Sequence, residues 1–166
     1  MENIKHYEIA NCVSVPVTLA FLKVDASKSV YGKLISWWTK SEFVHVEIII
    51  GDMWISSVEG TGVHIKQLKP LKDTYVYHKL RDAVMTESQY LDIKEWICQQ
   101  ENAKYDNTGI VLSQIIPIRY DSRTKWFCSE IVTKILQLLG YKEVFNLLPH
   151  LIDPGFLTRL FKVVKE

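Results

Sequence analysis

The chain predicts an α+β domain, a small antiparallel sheet flanked by helices. Three observations carry that expectation. Strand-like runs rich in β-branched residues cluster between Val13 and Leu80, and helical periodicity takes over from Thr86. The 166 residues suffice for one domain with a substantial core and are too few for two. No internal repeat, low-complexity tract or linker rich in Pro, Gly or Ser divides them, so residues 1–166 form a single unit.

Val13 to Val24 is apolar and β-branched and predicts a strand, with Pro16 near its start or at an edge. Ser27 can cap a helix running to about Trp38, with Val30, Leu34, Trp37 and Trp38 on its apolar side. Phe43 to Ile50 is an apolar run interrupted only by His45 and Glu47. Trp54 to Glu59, Gly62 to Leu68 and Thr74 to Leu80 follow as short strands. Thr86 to Gln100 opens on a capping-box pattern, Thr86-Glu87-Ser88-Gln89, and carries Tyr90, Ile93, Trp96 and Ile97 at helical spacing. Tyr105-Asp106-Asn107 opens a further helical stretch to about Ile116, and Asp153-Pro154 starts a last short helix.

Composition narrows the function classes. Hydrophobic content of 48% and charged content of 23% are those of a soluble globular chain. A net charge of +1 gives no electrostatic case for nucleic acid or an anionic membrane. No apolar run approaches the ~20 residues of a membrane span, and Met1 to Lys5 is polar, without the h-region of a signal peptide. Cys12, Cys98 and Cys128 are odd in number with no C-x-x-C pair, which argues against a disulfide framework or a thiolate zinc site and for a reducing, cytoplasmic compartment.

One of the three has a place suited to chemistry. Trp126-Phe127-Cys128-Ser129-Glu130 precedes apolar residues at Ile131, Ile135 and Leu138-Leu139, with Gly140 as a stop, so Cys128 sits in, or just before, the first turn of a helix about three turns long. Free N–H groups and the positive end of the helix dipole favour a thiolate there and can later hold an oxyanion. The alternative is a packing cysteine, since free Cys is among the most buried residue types.

A base is available on the 43–50 strand. Alternation places Val44, Val46, Ile48 and Ile50 on one face and His45, Glu47 and Ile49 on the other. If Gly51-Asp52-Met53 is a three-residue hairpin loop, Ile50 pairs with Trp54, Val46 with Val58, and His45 falls opposite Glu59. Opposed Cβ atoms lie about 4.5–5.5 Å apart, close enough for a side-chain hydrogen bond. A two-residue loop would set Val58 against His45, so hydrophobic matching favours the Glu59 register, with Ser57 a weaker partner on the same face. His6, His64, His78 and His150 have no comparable setting, and no H-x-x-x-H or H-E-x-x-H pair supports a metal site.

The order of these motifs resembles the circularly permuted NlpC-like branch of papain-fold proteins. The likeness rests on His45-Val46-Glu47-Ile48, Val58-Glu59-Gly60, Gly62-Val63 and Lys104-Tyr105-Asp106, then Phe127-Cys128-Ser129-Glu130-Ile131-Val132 and Asp153-Pro154-Gly155-Phe156-Leu157. It spans roughly residues 13 to 160, His first and Cys last. That branch includes bacterial envelope hydrolases, poxvirus virion proteins and, more distantly, lecithin:retinol acyltransferase-type enzymes. The resemblance implies a permuted papain-like fold, a Cys nucleophile, a His base and a polar residue orienting the His. Carried over, these are Cys128, His45 and Glu59. It implies a hydrolase or acyltransferase acting on an amide, ester or thioester, with a peptide, peptidoglycan or lipid-acyl substrate, no metal or organic cofactor, and a cytoplasmic or virion-associated setting. A virion or cell-associated structural protein that keeps the fold without turnover is the alternative.

The chain departs from that pattern twice. Glu47 stands where many relatives have a small residue, and the apolar segment from Asn107 to Lys125 is longer than a tight connection needs.

Overall fold

In a computed structural model of the chain, which describes residues 11–26, 36–37, 40–67, 71–106 and 125–163, the expected sheet is antiparallel and five-stranded. Its strands are β2 (Val17–Lys23), β3 (Phe43–Ile50), β4 (Met53–Val58), β5 (Gly62–Gln67) and β6 (Tyr75–Lys79), in the order β5-β4-β3-β2-β6. The run expected as one strand from Val13 is two. Pro16 has no N–H to give a ladder, and it separates β2 from β1 (Cys12–Val15), which pairs elsewhere, with β7 (Ala83–Thr86).

Thr86 ends β7 and caps α1 (Glu87–Gln99): its hydroxyl accepts from the Gln89 N–H while the Gln89 side chain accepts from the Thr86 N–H. The capping box read from the sequence is therefore formed. Helix α2 (Cys128–Leu138) begins at the expected cysteine and lays Ile131 and Ile135, both fully buried, among Val46, Ile48 and Ile50 of β3. Burial of each such side chain contributes about 1.5–3 kcal/mol, so the helix is held on the sheet by apolar area. Helix α3 (Pro154–Leu160) is capped by Asp153, whose Oδ1 accepts from the Phe156 N–H at 2.8 Å.

Tyr105, expected to open a helix, instead lies in a two-residue strand, β8 (Lys104–Tyr105), parallel to β9 (Lys125–Trp126). The rest of that stretch, the apolar segment after it and most of the helix expected from Ser27 fall outside the described residues. Trp37, expected on an apolar helix face, is 74% exposed.

The β3–β4 hairpin departs from its expected register. Its loop has two residues, Gly51 and Asp52, and the ladder pairs Ile50 with Met53, Ile49 with Trp54 and Ile48 with Ile55. Gly51 has φ +57° and Asp52 is not in the left-handed region, the pattern of a turn with Gly at its first central position. Because side chains alternate, the one-residue change exchanges the faces of every β4 residue. Met53 and Ile55 join the core beneath α2, while Trp54 packs with Ala20, Ile49, Tyr75 and Tyr77 on the opposite face. Ser57 is polar on the α2 side because it has a partner there: its hydroxyl donates to the Trp126 carbonyl at 2.7 Å.

Two glycines fix the periphery. Gly62, at φ +78°, lies so close to the next segment that a Cβ would sit 2.1 Å from the Ala103 carbonyl oxygen. There Val63 N–H donates to Ala103 O and Asn102 N–H to Val63 O, hanging β8 on β5. Gly155 lies against the residues that lead into β3, where a Cβ would approach Ser41 Cβ to 2.5 Å.

Candidate active site

Cys128 stands at the first helical position of α2, after Phe127 in extended conformation, and is 2% exposed. His45 comes from the opposite face of β3. They meet because the β3–β4 ladder stops at Ile48 and Ile55, while β4 continues to Val58 bonded to β5 on its other side. A bulge against β2 leaves Val44 unpaired beside His45, as Leu22 pairs with His45 and Lys23 with Phe43. Bulges of this kind re-aim the neighbouring side chain.

His45 and Cys128 lie close enough for each to shift the other's titration, and the backbone N–H groups of Val46 and Ser129 favour the charged sulfur. The Val46 N–H lies beyond the end of the β3–β4 ladder. A donor that the β3–β4 ladder leaves unused and one in the first turn of α2 thus both favour the charged sulfur.

The other side of the imidazole is held by Glu47. His45 Nε2 lies 3.1 Å from Glu47 Oε1 and 3.3 Å from Ser56 Oγ. Oε1 also accepts from Ser56 Oγ and, at 3.4 Å, from Tyr75 Oη, with Lys66 Nζ 3.9 Å away. Oε2 accepts from the indole N–H of Trp54. Glu47 is 2% exposed, and a carboxylate buried so deeply persists only because donors surround it. With Nε2 engaged, Nδ1 is the ring nitrogen left for the thiol.

The titration of the group follows from these contacts. Burial alone would depress the His45 pKa; the Cys128 thiolate and the Glu47 carboxylate overcome it and raise it to about 10. Burial would raise the Glu47 pKa, but His45, Ser56 and Lys66 bring it down to about 2. Burial opposes ionisation of Cys128 too, yet His45 and the Val46 and Ser129 amides hold its pKa below the usual thiol range. Burial and the Glu47 charge push the Tyr75 phenol well above its ordinary range, and burial with the Cys128 charge does the same to Tyr105. All three shifts run in the direction that favours a thiolate–imidazolium pair with a carboxylate behind it.

Of the three residues read from the sequence, the structure brings two together, Cys128 and His45. The hairpin register that set Glu59 opposite His45 is not the one formed, and the carboxylate at the ring is Glu47. Glu59 lies past the end of β4 in an exposed turn, where its charge acts on Tyr105. Ser56, not Ser57, faces the imidazole, for the same reason. Glu47 shares the His45 face by simple alternation, so that signal was legible; Trp54 and Ser56 needed the two-residue turn, which Gly51-Asp52 encodes. Tyr75 comes from β6, two strands away from β3, and no local pattern announces it.

Neither a scan against protein-family models nor a search of curated protein sequences gives a match to this chain. Among the described residues no three His, Cys, Asp or Glu side chains are grouped to hold a metal ion, and no helix is long and apolar enough to cross a membrane.

Proposed function

We propose that this chain is a thiol hydrolase or acyltransferase of the permuted papain-like kind, with Cys128 as nucleophile, His45 as general acid and base, and Glu47 as orienting residue. The observation that carries the reading is the His45 imidazole set beside Cys128 at a helix start, close enough for the two to favour each other's charged forms, while its Nε2 is bound to a buried carboxylate. Glu47 takes the role that the sequence pattern gave to Glu59.

In this mechanism the Cys128 thiolate attacks the carbonyl carbon of an amide, ester or thioester, and the carbonyl π electrons move to oxygen. The Cys128 N–H stabilises that oxyanion. His45, already protonated, gives its proton to the leaving nitrogen, oxygen or sulfur as the bond to carbon breaks, leaving a thioester on Cys128. Neutral His45 then takes a proton from water or an acceptor alcohol or amine, which attacks the thioester and regenerates the thiolate. A peptide, a peptidoglycan stem peptide or a lipid ester supplies such a carbonyl. Glu47 keeps the ring in the tautomer that directs Nδ1 at sulfur and stabilises the imidazolium.

The test is an acyl-type activity probe applied to folded protein. Labelling of native chain at Cys128, lost in Cys128→Ala and reduced in His45→Ala, is the expected result. The near-complete burial of the sulfur favours a second reading, a virion or cell-associated structural protein that keeps the pair without turnover. Folded native protein that leaves the probe unreacted decides for that second reading.

A further inference from the structure

We propose that Trp54 is a positioning residue of this centre, its indole N–H fixing the plane of the Glu47 carboxylate so that one oxygen stays directed at His45 while the other is held at the indole. The inference rests on the thiol-enzyme reading above and extends it to a residue three contacts from the sulfur, through His45 and Glu47.

The two carboxylate oxygens have unequal surroundings. Oε1 is contacted by His45, Ser56 and Tyr75, with Lys66 nearby, whereas the donor placed on Oε2 is the indole of Trp54. The terminal torsion of a Glu side chain is soft and roughly two-fold, so covalent geometry alone does not set the plane of the group. A donor on the far oxygen does. Trp54 is suited to the task because its own ring is fixed. It is 4% exposed, sits in the β3–β4 ladder opposite Ile49, and meets Tyr75 and Tyr77 edge-on at centroid distances of 6.0 and 6.2 Å. Tyr75 also donates to Oε1 at 3.4 Å, so the two rings hold the carboxylate from both oxygens and hold each other. An indole gives one N–H and accepts nothing; at this place it favours the ionised carboxylate. Phe would keep an aromatic ring at this place in a smaller volume. The hydrogen bond is what Phe cannot supply.

The experiment compares Trp54→Phe with native chain, both carrying Cys12→Ser and Cys98→Ser so that Cys128 is the sole thiol. The alkylation rate of Cys128 by iodoacetamide is followed against pH and normalised to its alkaline plateau. Normalisation separates thiolate formation from any change in access. In the native background an acid limb well below the ordinary thiol range is expected. In Trp54→Phe that limb moves up by about one pH unit, a roughly tenfold lower rate at a pH on the limb. An unchanged limb in Trp54→Phe, with the native limb low, overturns the positioning role and leaves the thiol-enzyme reading standing. A native profile without a low limb overturns both. Should Trp54→Phe not fold, the indole proton resonance of Trp54 in otherwise native chain decides the matter. It should lie downfield and move upfield in Glu47→Gln; a position indifferent to Glu47→Gln overturns the proposal.

Discussion

Replacing Glu47 by Gln keeps the shape of the side chain and removes its charge, and the surroundings give it no good orientation. With the amide oxygen at the Oε1 position, the NH2 group faces the Trp54 indole N–H. Turned over, the NH2 group faces His45 Nε2 and the Tyr75 hydroxyl. Either way two donors confront each other in a site from which water is largely excluded. The imidazolium also loses its buried counter-ion. Breaking a buried ion pair from one side costs about 3–5 kcal/mol, and we expect Glu47→Gln to fall near the lower end, at about 3 kcal/mol, because the Cys128 thiolate still faces the ring. With a urea slope of about 1–3 kcal/mol/M, the unfolding midpoint should drop by between about 1 and 3 M. The pH dependence supplies the sharper check. Glu47 is depressed from 4.5 to about 2, so its contribution is fully present above 4.5 and is lost as pH falls through about 2. His45 is raised from 6.5 to about 10, so its contribution is fully present below 6.5 and is lost as pH rises through about 10. The difference between native chain and Glu47→Gln should therefore be greatest between pH 4.5 and 6.5 and narrow on both sides. A midpoint indifferent to the substitution at pH 6, or a difference constant from pH 3 to 9, would refute this account of the site.

Three further outcomes are expected. Glu59→Ala should leave the alkylation profile of Cys128 close to native, while Glu47→Ala should raise its acid limb; the reverse ranking would return the orienting role to Glu59. His45→Ala should abolish the low limb and leave only the smaller effect of the helix start and the two amides, read as Cys128 alkylation moving toward the rate of an ordinary thiol. Gly62→Ala should destabilise the fold by more than the 1–3 kcal/mol usual for an overpacked methyl, since a Cβ would lie 2.1 Å from a backbone oxygen at a positive φ. Thermal unfolding measures it, and an unchanged midpoint would mean that the β5–β8 junction is free to shift.

Much of this arrangement can be read from residue order, and the exceptions have definite physical causes. Period-two alternation is enough to place His45 and Glu47 together on β3, and the capping signals at Thr86 and Asp153 name their helix starts outright. Matching apolar residues across the hairpin misleads at Ser57. A serine on the core side looks like a misfit until its carbonyl partner arrives from Trp126, 69 residues further along the chain. The strands β8 and β9 have two residues each, too short for any period to register. The first of them is hung on β5 by the close approach of Gly62 to Ala103, a tertiary contact. Glu47 reads as a crowding departure from a family pattern because its donors, Trp54, Ser56 and Tyr75, come from two other strands.

The Val46 amide offers a view of Cys128 from inside the backbone. A thiolate is a strong acceptor, and a thioester or thioether sulfur a poor one. Once Cys128 is acylated or alkylated, the Val46 N–H, at a point beyond the end of the β3–β4 ladder, no longer has the sulfur charge that it favours. Its hydrogen exchange and its amide resonance should then change with the chemical state of a side chain more than eighty positions away in sequence. The gap in the ladder that lets two faces of the sheet meet thus also makes one peptide group a gauge of the chemical state of Cys128.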